Sequence, residues 1–180
     1  MFTNSRLSEI AKNLESDLEI YGVGSLAACK IFIAKPEFRA IFWIRLMCGF
    51  SKNRIVSILI RQHLISNYSC DISPMAKFRK SLSLPHPVGI VIGIGVIVGS
   101  NVKIMQGVTI GERSIESNSD HSYPIIGDNV QIGANSSILG NLRIGNNSKI
   151  GAHALILKDV KDNTTIFGVQ SEVSPANNKS

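Results

Sequence analysis

The stretch from Ile126 to Ile156, IGDNVQIGANSSILGNLRIGNNSKIGAHALI, places isoleucine at every sixth position and usually follows it with glycine. A six-residue period is typical of a parallel β-helix, in which each hexad forms one short strand and one turn. An α-helix repeats every 3.6 residues and a β-strand every two, so neither requires a period of six. The stretch therefore predicts triangular coils of three hexads each, with the aliphatic column pointing into the coil.

The same register extends backwards, with two interruptions, to Ile72. Its earlier members are all bulky and apolar: Ile72, Phe78, Leu84, Ile92, Val98, Ile104 and Ile110. Asn101, Asn129, Asn135 and Asn147 fall between the strands, where turns with positive φ favour asparagine and glycine. The interruptions surround His86 and occupy residues 112–125. Because insertions in a repeat fold become loops that often bind ligands, we expect the function there.

The first 70 residues have a different composition from the rest. They hold only three of the 15 glycines but eight of the 11 aromatic residues. Apolar residues recur every three or four positions from Leu7 to Tyr21, which predicts a helix that ends at Gly22. Further helices are predicted over 26–34, from Pro36 onward and over 53–65. We therefore predict a helical cap over 1–70, a β-helix over 71–169 with a protruding loop at 112–125, and a flexible tail over 170–180.

Composition excludes several classes of protein. The 180 residues are 44% hydrophobic and 18% charged, which excludes a disordered polyelectrolyte. Three cysteines are too few for a disulfide framework and indicate reduced thiols. No secretory leader and no uninterrupted apolar span is visible, so we expect a cytoplasmic protein. The net charge of +6 is accompanied by no nucleic-acid-binding motif, and no nucleic-acid partner is expected.

Basic residues in the predicted cap alternate with large apolar ones. They are Lys30, Lys35, Arg39, Arg45, Lys52, Arg54 and Arg61. Two interpretations stay open: an ordinary solvated face of a helical cap, or a patch that contacts the inner face of a membrane peripherally.

Three segments resemble the hexapeptide-repeat acyltransferases, and most closely their serine acetyltransferase-like branch. They are DISPMAKFRKSLSLPHPVGIVIG at 71–93, VKIMQGVTIG at 102–111, and residues 125–160. EFRAIFWIR at 37–45 resembles the helical segment that precedes the repeat in that branch. The resemblance implies a mainly β protein with a left-handed parallel β-helix, a homotrimer with active sites between subunits, and acetyl-CoA as co-substrate without a metal.

The resemblance implies a catalytic pair, His86 and Asp71, separated by the family's spacing of fifteen residues. A hydroxyl is a weak nucleophile, so a neutral imidazole takes its proton as the oxygen attacks a thioester. A carboxylate then orients the imidazole and stabilises its cation. Taken alone, His86 is an ordinary loop histidine and Asp71 a turn or capping residue.

Five further positions correspond to the family's coenzyme site. Gly111, Ala134 and Ala152 are small residues that let a pantetheine arm approach the backbone, whereas Lys149 and Lys158 are candidates for the coenzyme phosphates. Turn chemistry alone also explains the small residues. A zinc enzyme is disfavoured because the four histidines show no short-range pairing.

The acceptor site departs from the serine acetyltransferase pattern. Pro85 stands where that pattern has the aspartate that binds the substrate amine, and Ser122 and Tyr123 stand where it has an Arg-His pair. His121 lies in the same loop. This mixture resembles the O-acetyltransferases of capsule, colanic acid and O-antigen, so the sequence favours a sugar or surface-polysaccharide hydroxyl as acceptor. The alternative is serine O-acetylation in cysteine biosynthesis; another small alcohol and a non-enzymatic scaffold are further alternatives.

Overall fold

Four helices precede the β-helix. The computed structural model describes residues 4–22, 28–113 and 123–170. The helices are α1 Asn4–Glu19, α2 Ala28–Ala34, α3 Pro36–Gly49 and α4 Arg54–Tyr68, in the regions predicted from the sequence. Pro36 occupies the first turn of α3, where its missing N–H is harmless. Asn53 caps α4 by accepting a hydrogen bond from the Val56 amide at 3.3 Å.

Three parallel sheets form the faces of the β-helix. Sheet 1 holds, in spatial order, β1 (Asp71–Ile72), β3 (Val91–Ile92), β6 (Thr109–Gly111), β9 (Ser137–Leu139), β12 (Leu155–Ile156) and β14 (Val169–Gln170). Sheet 2 holds β2 (Lys77–Phe78), β4 (Ile97–Val98), β7 (Ile125–Ile126) and β10 (Arg143–Ile144). Sheet 3 holds β5 (Lys103–Ile104), β8 (Gln131–Ile132), β11 (Lys149–Ile150) and β13 (Thr165–Ile166). The chain passes from sheet 1 to sheet 2 to sheet 3 in each coil, so we name the corners 1–2, 2–3 and 3–1.

The interior confirms the six-residue register. Twelve of the thirteen positions in the predicted column are at most 3% exposed, and Phe78 is half-buried against the core. A second buried column, which the sequence analysis missed, lies two residues before the first. Its apolar members include Ala76, Leu82, Val96, Val102, Val108, Val130, Leu142 and Ala154. These residues turn the corners inward, so each hexad buries two side chains rather than one.

Left-handed backbone at the corners explains the asparagines. Four asparagines with φ between 56° and 58° stack at the 2–3 corner: Asn101, Asn129, Asn147 and Asn163. Each Nδ2 donates to the Oδ1 of the next residue in the stack, at 2.9 to 3.1 Å. Asn135 has a φ of 57° at the 3–1 corner. The turn prediction is therefore confirmed at all four predicted positions.

A buried ion pair joins two helices of the cap. The Arg45 guanidinium in α3 binds both carboxylate oxygens of Asp17 in α1, at 2.9 Å each. Arg45 therefore cannot contribute to the basic surface patch considered above. Arg61 and Lys35 are ion-paired as well, which leaves four of the seven basic residues as candidates for that patch. Within the described residues, no helix combines the length and apolarity that crossing a membrane requires.

Candidate active site

His86 lies on an exposed loop at the 3–1 corner of the first coil. Its carbonyl accepts a hydrogen bond from the Val88 amide at 2.8 Å, which makes a tight turn. The Val88 carbonyl accepts from the Gly107 amide at 2.9 Å, and the Gly89 amide donates to the Tyr68 carbonyl at 3.3 Å. The loop is thus attached to the next coil on one side and to the end of α4 on the other. This fixes the backbone that carries the imidazole.

A cleft of about 800 Å³ separates the His86 loop from α3 and α4. Its lining residues are Phe32, Pro36, Glu37, Arg39, Trp43, His63, Asn67, Tyr68, Pro85, His86, Pro87 and Val88. The His63 ring lies between two aromatic rings, with centroid distances of 4.8 Å to Trp43 and 6.4 Å to Tyr68. One wall of the cleft is therefore a packed aromatic row, and His63 belongs to it.

Two charged side chains of α3 also line the cleft. The side chain of Glu37 is 19% exposed, and the Lys35 ammonium lies 4.0 Å from its carboxylate. The Arg39 guanidinium donates to the Ile33 carbonyl at 3.3 Å. The sequence analysis gave Glu37 no role and assigned Arg39 to a possible membrane patch, because nothing in the sequence shows that α3 faces the His86 loop.

The Asp71 carboxylate is bound by Arg61 in α4. Arg61 Nε donates to one carboxylate oxygen at 2.7 Å and Nη2 donates to the other at 3.0 Å. This hydrogen bonding raises the pKa of Arg61. In the described part of the chain no hydrogen bond joins Asp71 to His86. The spacing of fifteen residues predicted their partnership, but it gave no sign of the arginine that competes for the carboxylate.

The residues expected to bind the acceptor lie in different places. Pro85 lines the cleft beside His86. Tyr123 lies at the 1–2 corner, where its ring contacts Gly95 at a position that a Cβ atom would occupy. His121 and Ser122 lie outside the described residues. Within one chain, Tyr123 and His86 are therefore at different corners of the coil.

The five coenzyme candidates form two groups. Ala134 and Ala152 lie at turns of the 3–1 corner, and Lys149 lies next to them in β11 on sheet 3. Gly111 ends β6 on sheet 1, and Lys158 is exposed shortly after β12. The first group lies at the 3–1 corner, as His86 does, whereas the second group lies at the 1–2 corner, where the chain leaves sheet 1.

Sheet 3 carries a shallow groove of about 260 Å³ that includes Lys149. Its lining includes Gly133 and Gly151, which carry no side chains, and a Cβ on Gly133 would come within 2.5 Å of the Ala152 nitrogen. Phe167 flanks the groove and is 80% exposed. At the adjoining corner, Gln106 Oε1 is buried with no hydrogen-bond partner among the described residues. Close access to backbone, a lysine and an acceptor free for an amide N–H fit a pantetheine arm and its phosphates.

No metal centre is formed by the side chains that the structure describes. No three His, Cys, Asp or Glu residues among them approach closely enough to hold an ion.

Comparison with known proteins accounts for this architecture. The family model described as "Bacterial transferase hexapeptide (six repeats)" matches residues 123–158. A serine acetyltransferase from Neisseria gonorrhoeae superimposes over 93% of this chain and 68% of its own, with a TM-score of 0.79 and 33% identity. The chain belongs to the serine acetyltransferase family. That membership confirms a left-handed parallel β-helix preceded by a small helical region.

Other serine acetyltransferases give the same picture. The Neisseria gonorrhoeae protein in complex with serine matches with a TM-score of 0.75 and 31% identity, over 92% of this chain and 69% of its own. The Buchnera aphidicola serine acetyltransferase (subspecies Acyrthosiphon pisum) is 36% identical over 118 residues, which cover 66% of this chain and 43% of the relative. The chloroplastic serine acetyltransferase 1 of Arabidopsis thaliana is 44% identical over 115 residues, 64% of this chain and 36% of the relative. The chain thus spans less than half the length of these two curated relatives.

These similarities show that the sequence-based preference for a sugar or surface-polysaccharide acceptor, and with it for polysaccharide biosynthesis, is wrong. The relatives are serine acetyltransferases, which favours the alternative. That preference rested on the uncharged Pro85 beside His86 and on Ser122 and Tyr123 in place of an Arg-His pair. It could not take account of the charged side chains that α3 brings to the same cleft, Glu37 and Arg39.

Proposed function

We propose that this member of the serine acetyltransferase family transfers an acetyl group from acetyl-CoA to the hydroxyl of L-serine. The observation that carries the proposal is the match to serine acetyltransferases across both the helical cap and the coils, at a TM-score of 0.79. The cleft in which His86 is exposed adds support, because it is formed jointly by the cap and the first coil. Both parts of the molecule are therefore shared with enzymes named for this acceptor.

His86 is the proposed general base. It removes the proton of the serine hydroxyl as the oxygen attacks the thioester carbonyl, and it then returns that proton to the departing sulfur. Acetyl-CoA, when bound, supplies the acetyl group as an activated thioester. The backbone hydrogen bonds of the His86 loop keep the imidazole in place between acceptor and donor. The proton taken from the hydroxyl ends on the thiol, so the step needs no further acid or base.

Asp71 is proposed to act on His86 through its charge rather than through a hydrogen bond. Its carboxylate is engaged by Arg61 in a two-point ion pair, which is about 45% exposed on the arginine side and 43% exposed on the aspartate side. Charges this exposed interact weakly because solvent screens them. The loss of Asp71 is therefore expected to harm the reaction much less than the loss of His86.

The coenzyme is proposed to bind along the 3–1 corner and the groove on sheet 3, between neighbouring subunits of a trimer. Successive coils in a parallel sheet are about 4.8 Å apart, so Ala134 and Ala152 lie two and three levels from the His86 loop. Gly111 and Lys158 lie on another corner of the same chain, and a site shared between two subunits can use both groups. The expected mass in solution is three times that of the 19.5-kDa chain.

The direct test is release of coenzyme A thiol from acetyl-CoA in the presence of L-serine. We expect turnover by the wild-type protein, and a loss of about 10²- to 10⁴-fold in kcat for His86→Ala because a general base contributes that much. Lys12→Ala is the control, since this exposed residue of α1 lies outside both the cleft and the 3–1 corner. An absence of serine-dependent thiol release, or equal activity in His86→Ala, would contradict the proposal.

A further inference from the structure

The cleft beside His86 carries one negative and one positive side chain on the same helix. We infer that Glu37 and Arg39 recognise the ammonium and the carboxylate of the acceptor, and so determine that a zwitterionic amino acid reaches His86. The inference rests on the proposed function and assigns its acceptor specificity. It also supplies the charge recognition that Pro85 cannot provide.

Glu37 has the capacity to bind a cation. Its carboxylate is largely covered, with 19% of the side chain exposed, and its ion pair with Lys35 spans 4.0 Å. That distance is well beyond the roughly 2.7–2.9 Å of a charge-assisted hydrogen bond. The Lys35 side chain is itself 49% exposed, so solvent weakens its hold on the carboxylate. An ammonium group in the cleft can therefore bind this carboxylate more closely than Lys35 does.

Arg39 has a corresponding capacity to bind an anion. Only its Nη1 has a hydrogen bond among the described residues, a long one of 3.3 Å to the Ile33 carbonyl. No carboxylate in the described part of the chain forms an ion pair with it. A guanidinium presents several N–H donors in a planar fork that matches a carboxylate. Arg39 can therefore bind an α-carboxylate without giving up a strong partner.

The helical spacing explains why the two charges remain available. Glu37 and Arg39 are two residues apart, and side chains at i and i+2 of a helix do not face each other. Both residues line the cleft, and no salt bridge joins them among the described residues. Trp43, four residues after Arg39, lies on the same side of α3 and also lines the cleft. An acceptor held by opposite charges on α3 has one remaining polar group, its hydroxyl, to direct towards His86 on the opposite wall.

Trp43 provides a measurement of binding that does not depend on catalysis. It is the only tryptophan of the chain, so its fluorescence reports on this cleft alone. The wild-type protein is titrated with L-serine, with ethanolamine, which lacks the carboxylate, and with 3-hydroxypropionate, which lacks the ammonium. Because a hydrogen bond to a charged group is stronger than one between neutral groups, we expect each truncated ligand to bind at least about tenfold more weakly than L-serine.

Two variants that each remove one charge show which group of L-serine each residue binds. Glu37→Gln should weaken L-serine binding about tenfold while leaving 3-hydroxypropionate nearly unchanged, since that ligand has no ammonium to lose. Arg39→Gln should weaken L-serine similarly while leaving ethanolamine nearly unchanged. Glu19→Gln and Arg54→Gln are matched controls, because both side chains are exposed outside the cleft and should leave all three affinities unaltered. Circular dichroism and an Arg39→Lys variant, expected to bind L-serine better than Arg39→Gln, separate loss of charge from loss of fold.

The outcomes distinguish this inference from the proposed function. The inference is overturned if the wild-type protein shows no preference for L-serine over the truncated ligands, or if both variants keep the wild-type preference. If L-serine binds with the expected charge dependence but no thiol is released from acetyl-CoA, the proposed function fails while the recognition site stands. If serine is acetylated while Glu37→Gln and Arg39→Gln both leave the KM for serine unchanged, the function stands and the inference fails.

Discussion

Arg45 and Asp17 form a buried two-point ion pair that joins the helical cap to the β-helix. Their side chains are 4% and 0% exposed. The guanidinium also donates to the Phe78 and Arg79 carbonyls, at 2.9 and 2.6 Å, and the Asp17 carboxylate accepts from the Leu82 amide at 2.9 Å. The hydrogen bonds that link this pair to described residues beyond the cap therefore all involve backbone atoms of the first coil.

Removing either partner of this ion pair should destabilise the folded protein. We expect Asp17→Asn and Arg45→Met each to lower the free energy of unfolding by about 3–5 kcal/mol, because one uncompensated charge remains buried. The double variant should lose clearly less than the sum, since neither charge is then left alone. Urea unfolding followed by circular dichroism measures all three variants. Additive losses would show that the two side chains act independently.

Because Arg61 already binds the Asp71 carboxylate, the loss of Asp71 should reduce acetyl transfer less than the loss of His86. Asp71→Asn should reduce kcat/KM for acetyl transfer by no more than about tenfold, because an exposed and already neutralised carboxylate contributes little more than 1 kcal/mol. His86→Ala should cost far more. Steady-state kinetics on both variants at one pH make the comparison. A loss in Asp71→Asn equal to that in His86→Ala would show that the carboxylate moves from Arg61 to His86 in the working enzyme.

Because the coils stack closely, replacing Gly133 by alanine should destabilise the fold more than replacing Gly111. A Cβ on Gly133 would lie 2.5 Å from the Ala152 nitrogen and 2.8 Å from the Ile150 carbonyl oxygen, and neither backbone atom can yield. Gly133→Ala should therefore destabilise the fold by about 1–3 kcal/mol, the usual range for overpacking. In Gly111→Ala the nearest atom, Gly93 Cα, is 3.9 Å away, so this variant should be nearly neutral in thermal unfolding. Equal effects would contradict the close coil contact.

Burial raises the pKa of the Cys48 thiol from 9.0 to about 12. The folded protein thus keeps this proton up to about pH 12, whereas the unfolded chain releases it above about pH 9. The stabilisation is complete below pH 9 and is lost as the pH rises towards 12. Urea unfolding at pH 8 and pH 10.5 should show a smaller loss of stability in Cys48→Ala than in the wild type. Between pH 6 and 8 the two proteins should change in parallel.

The β-helix was predictable because its constraint is local and repeated. Each hexad must bury its side chains and turn one corner in the same way, so the period at Ile126–Ile156 and the corner asparagines are visible in the sequence. The second buried column was missed because its members, such as Ala76 and Val102, are smaller and less uniform. The helices were predictable from apolar spacing for a similar reason.

The site was less predictable because it depends on contacts between distant segments. His86 was proposed from a family resemblance and an interruption of the period. The partner of Asp71 lies ten residues earlier, on a helix whose orientation the sequence does not reveal. Arg45 belongs to the same basic series as Arg39, yet one is buried against Asp17 and the other lines a cleft. Only packing of the cap on the first coil separates these roles.

The cleft has one wall of helix and one wall of coil, and this division has an evolutionary consequence. Residues on α3 that line the cleft, such as Glu37 and Arg39, are free of the six-residue period that every coil must keep. Substitutions there can change the preferred acceptor while the stacked framework and the coenzyme groove stay intact. Changes in the preferred acceptor are then expected to arise by substitutions in the amino-terminal helices, while the sequence of the repeat stays unchanged.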